Sequence, residues 1–182
     1  MRVIAGTFKG RRLKAPTWAG LRPSSDKLRE TLFNILAPRI EGARVLDGFA
    51  GTGASGIEAL SRGAAHVTFI DRDRRAIALI EANLALCRVE EGYTIEYGDV
   101  AAVLRRAPRD RQFDLALLDP PYDADPGSIT HALEVVAGIM NGDGLLVLER
   151  SRRRDADVPA LLERVRDVVS GDSVLTFMRM RR

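Results

Sequence analysis

The sequence predicts an α/β fold with a mostly parallel sheet of seven strands, helices on both faces and a closing antiparallel hairpin. Three observations predict it. An apolar run from Arg44 enters a glycine-rich turn that ends at Gly56. From there, short apolar runs alternate with helical patterns, as in a parallel sheet. The last two apolar runs are separated only by Ser170 to Ser173, which indicates an antiparallel pair.

A small basic β-hairpin is predicted ahead of this sheet. Residues 3–6 and 11–14 flank a glycine-containing turn, and Pro16, Gly20 and Pro23 then hold an extended loop. We place the boundary after residue 23, with a basic arm over 1–23 and the main domain over 24–182. The predicted RNA-binding residues are Lys9, Arg11, Arg12, Lys14 and Arg22. Trp18 could stack on a base or equally anchor the hairpin.

The elements of the main domain follow in order. Ser24, Ser25 and Asp26 offer an N-cap and an acidic first turn to a helix that we expect Pro38 to end. Predicted strands are 45–46, 67–70, 93–97, 113–118 and 145–148, and predicted helices are 56–62, 74–87, 100–106 and 128–140. A last helix is predicted over 159–166, followed by the antiparallel pair 168–169 and 174–178.

Charge is unevenly distributed along the 182 residues. The net charge of +3 comprises +7 over residues 1–40, −7 over 41–150 and +3 over 151–182. A basic arm on an acidic centre favours a cation-binding core with a polyanion-binding attachment. The alternative is an ordinary solvated surface, and the Arg152 to Arg154 run is most simply such a surface.

Composition excludes several classes of protein. With 46% hydrophobic and 29% charged residues the chain is typical of a soluble globular domain. No apolar run reaches the roughly 20 residues of a membrane span, and the basic start lacks the apolar centre of a signal peptide. A single cysteine, Cys87, supports neither a disulfide nor a thiolate metal cluster within one chain. We therefore expect a cytoplasmic monomer with no metal and no membrane partner.

The glycine turn is the first candidate site. Gly51, Gly53 and Gly56 match G-x-G-x-x-G, and Asp71 follows twenty positions after Gly51. Asp47, however, precedes the glycines where a pyrophosphate would need neutral or positive donors. A carboxylate there suits a cationic ligand. S-adenosylmethionine carries a sulfonium, an ammonium and two ribose hydroxyls but no phosphate, so it is the predicted cofactor.

Acidic residues end four of the predicted strands, at Asp47, Asp71, Asp99 and Asp119. Ligands of an open parallel sheet bind beyond the carboxyl ends of its strands. Asp71 is placed to accept hydrogen bonds from a ribose diol, and Asp99 is placed to accept a hydrogen bond from the adenine amino group. Each could instead be the N-cap of the following helix.

Asp119-Pro120-Pro121-Tyr122 is the most specific motif of the chain. Its prolines fix φ and lack an N–H, which holds the Pro120 carbonyl toward the site. That carbonyl and the Asp119 carboxylate are two acceptors for an amino group on an sp² carbon, and Tyr122 offers a flat face to the attached ring. The motif predicts methyl transfer to a planar amine that is aligned rather than deprotonated before attack. Asp119, Pro120 and Tyr122 are the predicted catalytic residues.

The whole chain resembles the RsmD family of Rossmann-like class I methyltransferases. The matching segments are Arg2-Val3-Ile4-Ala5-Gly6 with Gly10-Arg11, residues 21–27 with Arg29-Glu30 and Phe33-Asn34, Asp47 to Gly53, Glu58 to Ala64, and Asp119 to Tyr122. Thr52 stands where the family usually has Ser, and Asp71 stands where it often has Glu. The closing hairpin matches the family weakly.

The resemblance implies methylation of the exocyclic N2 of a guanine in 16S rRNA, within an assembled or partly assembled small ribosomal subunit. It also makes Arg22, Ser25 and Arg29 candidates for a lid over the site. The predicted cofactor-binding residues are Asp47, Phe49, Ala50, Gly51, Gly53, Asp71, Arg72, Asp99, Val100 and Arg29.

Other functions remain open at this point. A DNA adenine-N6 or cytosine-N4 methyltransferase would use similar acceptors, but 182 residues leave little room for its recognition domain. A protein glutamine-N5 methyltransferase more usually has Asn in place of Asp119. A nicotinamide-dependent oxidoreductase would use the glycine turn but neither Asp47 nor Asp119-Pro120. The last alternative is a non-catalytic RNA-binding module, which cofactor binding would exclude.

Overall fold

One seven-stranded sheet runs through the protein, with the strand order β3-β2-β1-β4-β5-β7-β6. In a computed structural model the described residues are 1–18, 26–108 and 112–181. The strands are β1 Arg44–Gly48, β2 His66–Asp71, β3 Tyr93–Tyr97, β4 Phe113–Leu118, β5 Met140–Ser151, β6 Leu162–Ser170 and β7 Ser173–Met180. The first five are parallel, whereas β7 pairs antiparallel with both β5 and β6. The predicted fold class is confirmed.

Helices cover both faces of this sheet. They are α1 Asp26–Ile40, α2 Ala54–Ser61, α3 Arg74–Leu86, α4 Val100–Arg106 and α5 Pro126–Ala137. Side chains alternate across each strand, so Val45 packs with α1, α2 and α3 while its neighbour Leu46 packs with α4 and α5. β1 and β4 are neighbours at the centre, and the chain leaves them toward opposite edges. The crevice outside their carboxyl ends is the expected ligand site of such a sheet.

The predicted helix over 159–166 is wrong, because the chain there enters β6. Leu162 and Val165 have helical spacing, but Val165, Val168 and Val169 are β-branched residues that favour a strand. Pairing with β7 from Leu162 to Ser170 supplies backbone hydrogen bonds that a surface helix would have made internally. Tertiary pairing therefore decides the conformation of this segment.

Helix α1 continues past Pro38 to Ile40, so the expectation that Pro38 ends it is also wrong. Ile40 is fully buried, and its packing favours one more turn at the C-terminal end. The predicted caps Ser24 and Ser25 lie outside the described residues.

The N-terminal segment forms the predicted hairpin, with a bridge between Arg2 and Arg12. The fully buried Glu58 of α2 accepts from the backbone N–H groups of Ile4 and Ala5 at 2.8 and 3.0 Å. Gly6 has φ +80°, and a Cβ there would lie 1.7 Å from the Ser61 carbonyl oxygen. The hairpin therefore packs directly on α2.

Asn83 of α3 joins this hairpin to the glycine turn. Its fully buried amide accepts from Lys14 N–H at 2.7 Å and donates to the Lys14 carbonyl at 3.2 Å and the Thr52 carbonyl at 2.9 Å. Farther along the arm, Trp18 lies beneath the guanidinium of Arg75, in the first turn of the same helix. Eight residues of helix span about 12 Å, so the arm runs up α3 toward the carboxyl edge of the sheet.

None of the described helices is long and apolar enough to cross a membrane.

Candidate active site

Asp47, at the carboxyl end of β1, lies at the bottom of the crevice. It is 4% exposed, and its Oδ2 accepts from the Gly56 N–H at 2.8 Å. Burial raises the pKa of Asp47 to about 7; the Gly56 hydrogen bond opposes this shift and the nearby charge of Asp71 adds to it. Without a cation beside it, this carboxylate is therefore only partly ionised near neutral pH.

Asp71 ends the neighbouring strand β2 and supports the glycine turn. Its Oδ2 accepts from the Gly51 N–H at 2.8 Å and its Oδ1 from the Asp73 N–H at 2.9 Å. The N-cap of α3 is Asp73, so the alternative interpretation of Asp71 as that cap is wrong. A carboxylate has about four lone-pair sites, which leaves acceptor capacity for hydroxyl groups of a ligand.

The glycine turn itself has a left-handed backbone at three positions. Phe49 has φ 60°, Gly51 φ 54° and Gly53 φ 73°. Such a φ is unusual for a phenylalanine and costs of order 1–3 kcal/mol, which the surrounding contacts must offset. The N–H of Ala50, next to Phe49, donates to the Ile70 carbonyl of β2 at 3.1 Å. This hydrogen bond ties the glycine turn to the end of β2.

Other predicted cofactor residues have more varied positions. Asp99 caps α4, with Oδ1 accepting from the Ala102 N–H at 2.9 Å, as its alternative interpretation stated. Val100 is buried against the end of β1, where a Cβ on Gly48 would lie 3.5 Å from it. Arg72 is exposed next to Asp71.

Arg29 is buried rather than exposed on α1. Its Nη2 donates to the Arg2 carbonyl and pairs with Asp26 at 2.9 Å, while Nε and Nη1 are buried and have no hydrogen-bond partner among the described residues. Glu30 and Asn34, its neighbours in the matching segments, are exposed. Arg29 thus joins the hairpin to α1; Arg22 and Ser25, the other lid candidates, lie outside the described residues.

Asp119-Pro120-Pro121-Tyr122 follows β4 directly, on the other side of the crevice. The Asp119 N–H donates to the Gly48 carbonyl at 3.4 Å, which continues the pairing of β1 with β4 beyond the strands. Pro120 is buried, and Tyr122 is 39% exposed. The motif therefore begins in the sheet and ends at the surface.

A hydrogen-bond chain holds Tyr122 to the far strands of the sheet. Its hydroxyl lies 2.6 Å from the Ser173 Oγ, and Ser173 Oγ lies 3.2 Å from Glu149 Oε1. Ser173 begins β7 and Glu149 lies near the end of β5. The three catalytic residues predicted from sequence thus lie beside two polar residues that the sequence interpretation missed.

Glu149 could have been found from the sequence. It follows the apolar run 145–148 as Asp47, Asp71 and Asp119 follow theirs. Ser173 carried no such signal, because its position depends on the antiparallel pairing of β5 with β7. Glu58 and Asn83, which fix the hairpin, were also missed, since a polar residue on an amphipathic helix is usually exposed.

The predicted RNA-binding residues lie in and beside the hairpin. Lys9, Arg12 and Lys14 are exposed, whereas Arg11 stacks on Phe8 and donates to the Cys87 carbonyl. Arg22 lies outside the described residues. Exposed cations also follow β5 at Arg152 to Arg154, on the opposite side of the crevice from Asp47.

Comparisons with known proteins identify the family. The model of the family described as Conserved hypothetical protein 95 matches residues 1–179. The chain is 39% identical over 153 residues to "Putative rRNA methyltransferase YlbH" of Bacillus subtilis, covering 84% of this chain and 83% of that protein. It is 40% identical over 122 residues to "Ribosomal RNA small subunit methyltransferase D" of Escherichia coli, covering 67% of this chain and 60% of that relative.

Several solved structures also resemble this chain in fold and sequence. "Putative methyltransferase yhhF" from Escherichia coli has a TM-score of 0.85 and 32% identity, covering 99% of this chain and 97% of that one. A protein of Thermus thermophilus has a TM-score of 0.83 at 30% identity, with 99% of both chains covered. "SMU.776, a putative methyltransferase complexed with SAH" shares the fold at 16% identity, with a TM-score of 0.72 over 88% of this chain and 50% of that one. The chain belongs to the RsmD family of methyltransferases, whose sequence model is the one that matches residues 1–179.

Proposed function

We propose that this protein transfers a methyl group from S-adenosylmethionine to the exocyclic N2 of a guanine in 16S rRNA of the small ribosomal subunit. The observation that carries the proposal is the Asp119-Pro120-Pro121-Tyr122 motif across the crevice from the glycine turn. The similarity to proteins named as an rRNA methyltransferase and a small-subunit rRNA methyltransferase supports this substrate. Acting on ribosomal RNA, the protein would be cytoplasmic.

The cofactor side of the crevice fits S-adenosylmethionine. Asp47 and Asp71 are two carboxylates close enough for one to raise the pKa of the other. Within the described ranges, the cationic side chains form their ion pairs with other carboxylates. A ligand with its own positive charge would complement this pair, whereas a pyrophosphate would be repelled. Asp71 would accept hydrogen bonds from the ribose hydroxyls, with Arg72, Asp99 and Val100 beside the adenine. Arg29, bonded to the Arg2 carbonyl, would support the site through the hairpin.

When bound, the cofactor supplies an electrophilic methyl group on its sulfonium. Asp119 and the Pro120 carbonyl would accept the two hydrogens of the target amine, and Tyr122 would lie against the ring that carries it. An amine conjugated to a purine is a poor nucleophile. Holding both hydrogens favours a tetrahedral nitrogen whose lone pair faces the crevice, so alignment supplies most of the rate acceleration. The proton can leave after transfer.

The arm 1–23 is the proposed RNA-contacting part and 24–182 the methyltransferase domain. Exposed Lys9, Arg12 and Lys14 offer phosphate contacts from one side of the crevice. A target base must leave its stack to reach Asp119, so contacts to the flanking backbone would position it. We further propose that the protein acts as a monomer, without a metal, on an assembled or partly assembled subunit.

The test is methyl transfer from labelled S-adenosylmethionine to small subunits purified from a strain that lacks this gene. We expect N2-methylguanosine in nucleoside digests with wild-type protein and none with Asp119→Ala. Label in N6-methyladenosine would contradict the substrate but keep the mechanism. No transfer to RNA, despite cofactor binding, would favour the DNA or protein glutamine alternatives.

A further inference from the structure

We propose that Glu149 selects guanine as the target base by accepting a hydrogen bond from its N1–H. This inference rests on the proposed function and names a specificity-determining residue for it. Three observations carry it: the place of Glu149 in the sheet, its burial, and its link to Tyr122.

The sheet places Glu149 beside the acceptor motif. Leu118 and Leu148 are partners in the pairing of β4 with β5. Asp119 and Glu149 are the next residues of these two neighbouring strands, so they occupy matching positions. Adjacent strands are separated by about 4.8 Å, which brings two acidic residues next to each other at the same edge. The crevice therefore has carboxylates on both sides of its centre: Asp47 and Asp71 on one, Asp119 and Glu149 on the other.

The alternation of β5 fixes which face Glu149 lies on. Glu149 pairs with Leu175 of β7, and both Leu175 and Val147 pack in the cluster formed with α1, α2 and α3. Asp47 lies on this face too, since it bonds to Gly56 of α2. By this alternation, the side chain of Glu149 lies on the same face of the sheet as Asp47, the face that α1, α2 and α3 cover.

Burial and hydrogen bonding give Glu149 a defined orientation. It is 9% exposed, and Ser173 Oγ lies 3.2 Å from its Oε1 and 2.6 Å from the Tyr122 hydroxyl. The residue is thus two hydrogen bonds from the aromatic ring proposed to lie against the target base. A surface carboxylate retained for solubility would not be held in this way.

The chemistry of the bases explains why a second carboxylate is useful here. Guanine presents two neighbouring donors, N1–H and the N2 amine, and an ionised carboxylate is an acceptor only. Adenine has a bare N1 acceptor next to its amine, and a carboxylate facing it would be repelled. Asp119 and the Pro120 carbonyl can bind the amine of either purine. Glu149 would therefore be the residue that tells them apart, as flipped bases are identified along their Watson–Crick edge.

The decisive experiment compares guanine with 2-aminopurine at the target position, in subunits reconstituted with ligated RNA. The position is first mapped with wild-type protein. 2-Aminopurine keeps the N2 amine but has a bare N1, so we expect the wild type to methylate it about 30-fold or more less efficiently, measured as kcat/KM. In Glu149→Gln the amide can donate to that N1. We expect the kcat/KM of this variant on guanine to fall about 30- to 100-fold, and we expect its preference for guanine over 2-aminopurine to disappear.

Ser173→Ala is the matched control, because it breaks the link to Tyr122 and leaves the carboxylate in place. It should keep the guanine preference. If Glu149→Gln and Ser173→Ala give the same losses on both bases, Glu149 only positions Tyr122 and the inference is overturned. Equal use of both bases by the wild type would also overturn it, whether or not the variants fold. Cofactor affinity by calorimetry should remain within about twofold in both variants.

The experiment distinguishes a failure of the proposed function from a failure of this inference. If the wild type makes no N2-methylguanosine, the proposed function is wrong, and the proposed role of Glu149 in selecting guanine is wrong as well. If the wild type makes N2-methylguanosine and Glu149→Gln keeps its preference, the function stands and only the inference is overturned.

Discussion

On one side of the crevice the polar contacts join residues that are close in sequence. Asp47 accepts from Gly56, nine positions away, and Asp71 accepts from Gly51, twenty away. On the other side Tyr122 bonds to Ser173, 51 positions later, and Ser173 to Glu149, 24 positions before it. The proposed cofactor side is thus built within two strand–helix units, whereas the proposed acceptor side requires β4, β5 and β7 to be assembled first.

This difference predicts that the two sides can be damaged separately. A substitution on the acceptor side should remove methyl transfer and leave cofactor affinity intact. A substitution on the cofactor side should change affinity and its pH dependence. Residues that join the hairpin to the glycine turn should affect stability, and exposed cations should affect RNA affinity alone.

The largest effect is expected from Asp119→Asn. The amide would present a donor to the target amine in place of one acceptor, so we expect kcat to fall about 10²- to 10³-fold. Cofactor affinity, measured by calorimetry, should change less than about twofold. Asp123→Asn, an exposed residue of the same loop, is the control and should leave kcat unchanged. A parallel loss of cofactor affinity in Asp119→Asn would show that the two sides are not separable.

Asp47→Asn should produce the next largest effect, on the cofactor. A cationic ligand stabilises ionised Asp47, whose pKa is raised by burial to about 7. At pH 6 most of the free protein must therefore lose a proton on binding, and affinity should rise up to tenfold per pH unit toward pH 7, then level off. Asn cannot titrate, so the variant should bind about 10- to 100-fold more weakly at pH 8 with little dependence on pH.

Calorimetry at pH 6, 7 and 8 in buffers of different ionisation heat would measure both the affinity and the proton released. Asp157→Asn, exposed near the other side of the crevice, should retain the wild-type profile. A flat profile in the wild type would contradict the assignment of Asp47 as the charge partner.

Asn83→Ala should reduce stability more than activity. It removes three hydrogen bonds of a fully buried amide and leaves the Lys14 and Thr52 backbone groups unpaired. We expect the free energy of unfolding to fall by about 2–4 kcal/mol, measured by urea titration. Asn34→Ala on the exposed face of α1 should stay within about 0.5 kcal/mol of the wild type. Equal values for the two variants would mean that the hairpin is not held through Asn83.

The smallest effect is expected from the double variant Lys9→Gln, Arg12→Gln. If both side chains contact phosphates, RNA affinity should fall several-fold and the slope of log affinity against log salt should decrease by about 1.4 to 1.8. Filter binding over a range of salt concentrations would measure it. Arg105→Gln on α4, across the sheet, provides the control. An unchanged slope in the double variant would show that these side chains of the hairpin do not contact RNA phosphates.

The parts of the molecule that sequence predicted well are those with local causes. The strand–glycine turn–helix unit after Arg44 has its hydrophobic pattern, its positive-φ glycines and its acidic partner within a short segment. The parallel strands were similarly visible as apolar runs. The predicted helix over 159–166 failed because the conformation of β6 is decided by β7, a partner whose influence no local pattern carries.

The same reasoning explains what was missed in the candidate site. Asp47, Asp71 and Asp119 could be proposed from sequence because each ends an apolar run next to a recognisable motif. Ser173 reaches Tyr122 only through the pairing of β5 with β7. The buried contact of Arg29 with the Arg2 carbonyl is another feature that the order of elements alone could not predict.

The hairpin's attachment to α2 and α3 has a consequence for how the protein is made. Its residues are synthesised before Glu58 and Asn83, which hold its backbone and are 53 to 69 positions farther along the chain. At about 5–20 residues per second, a nascent chain waits roughly 3–14 s between completing Lys14 and adding Asn83. The hairpin thus leaves the ribosome before the helices to which it binds, and during that interval its basic surface has no folded domain to dock on.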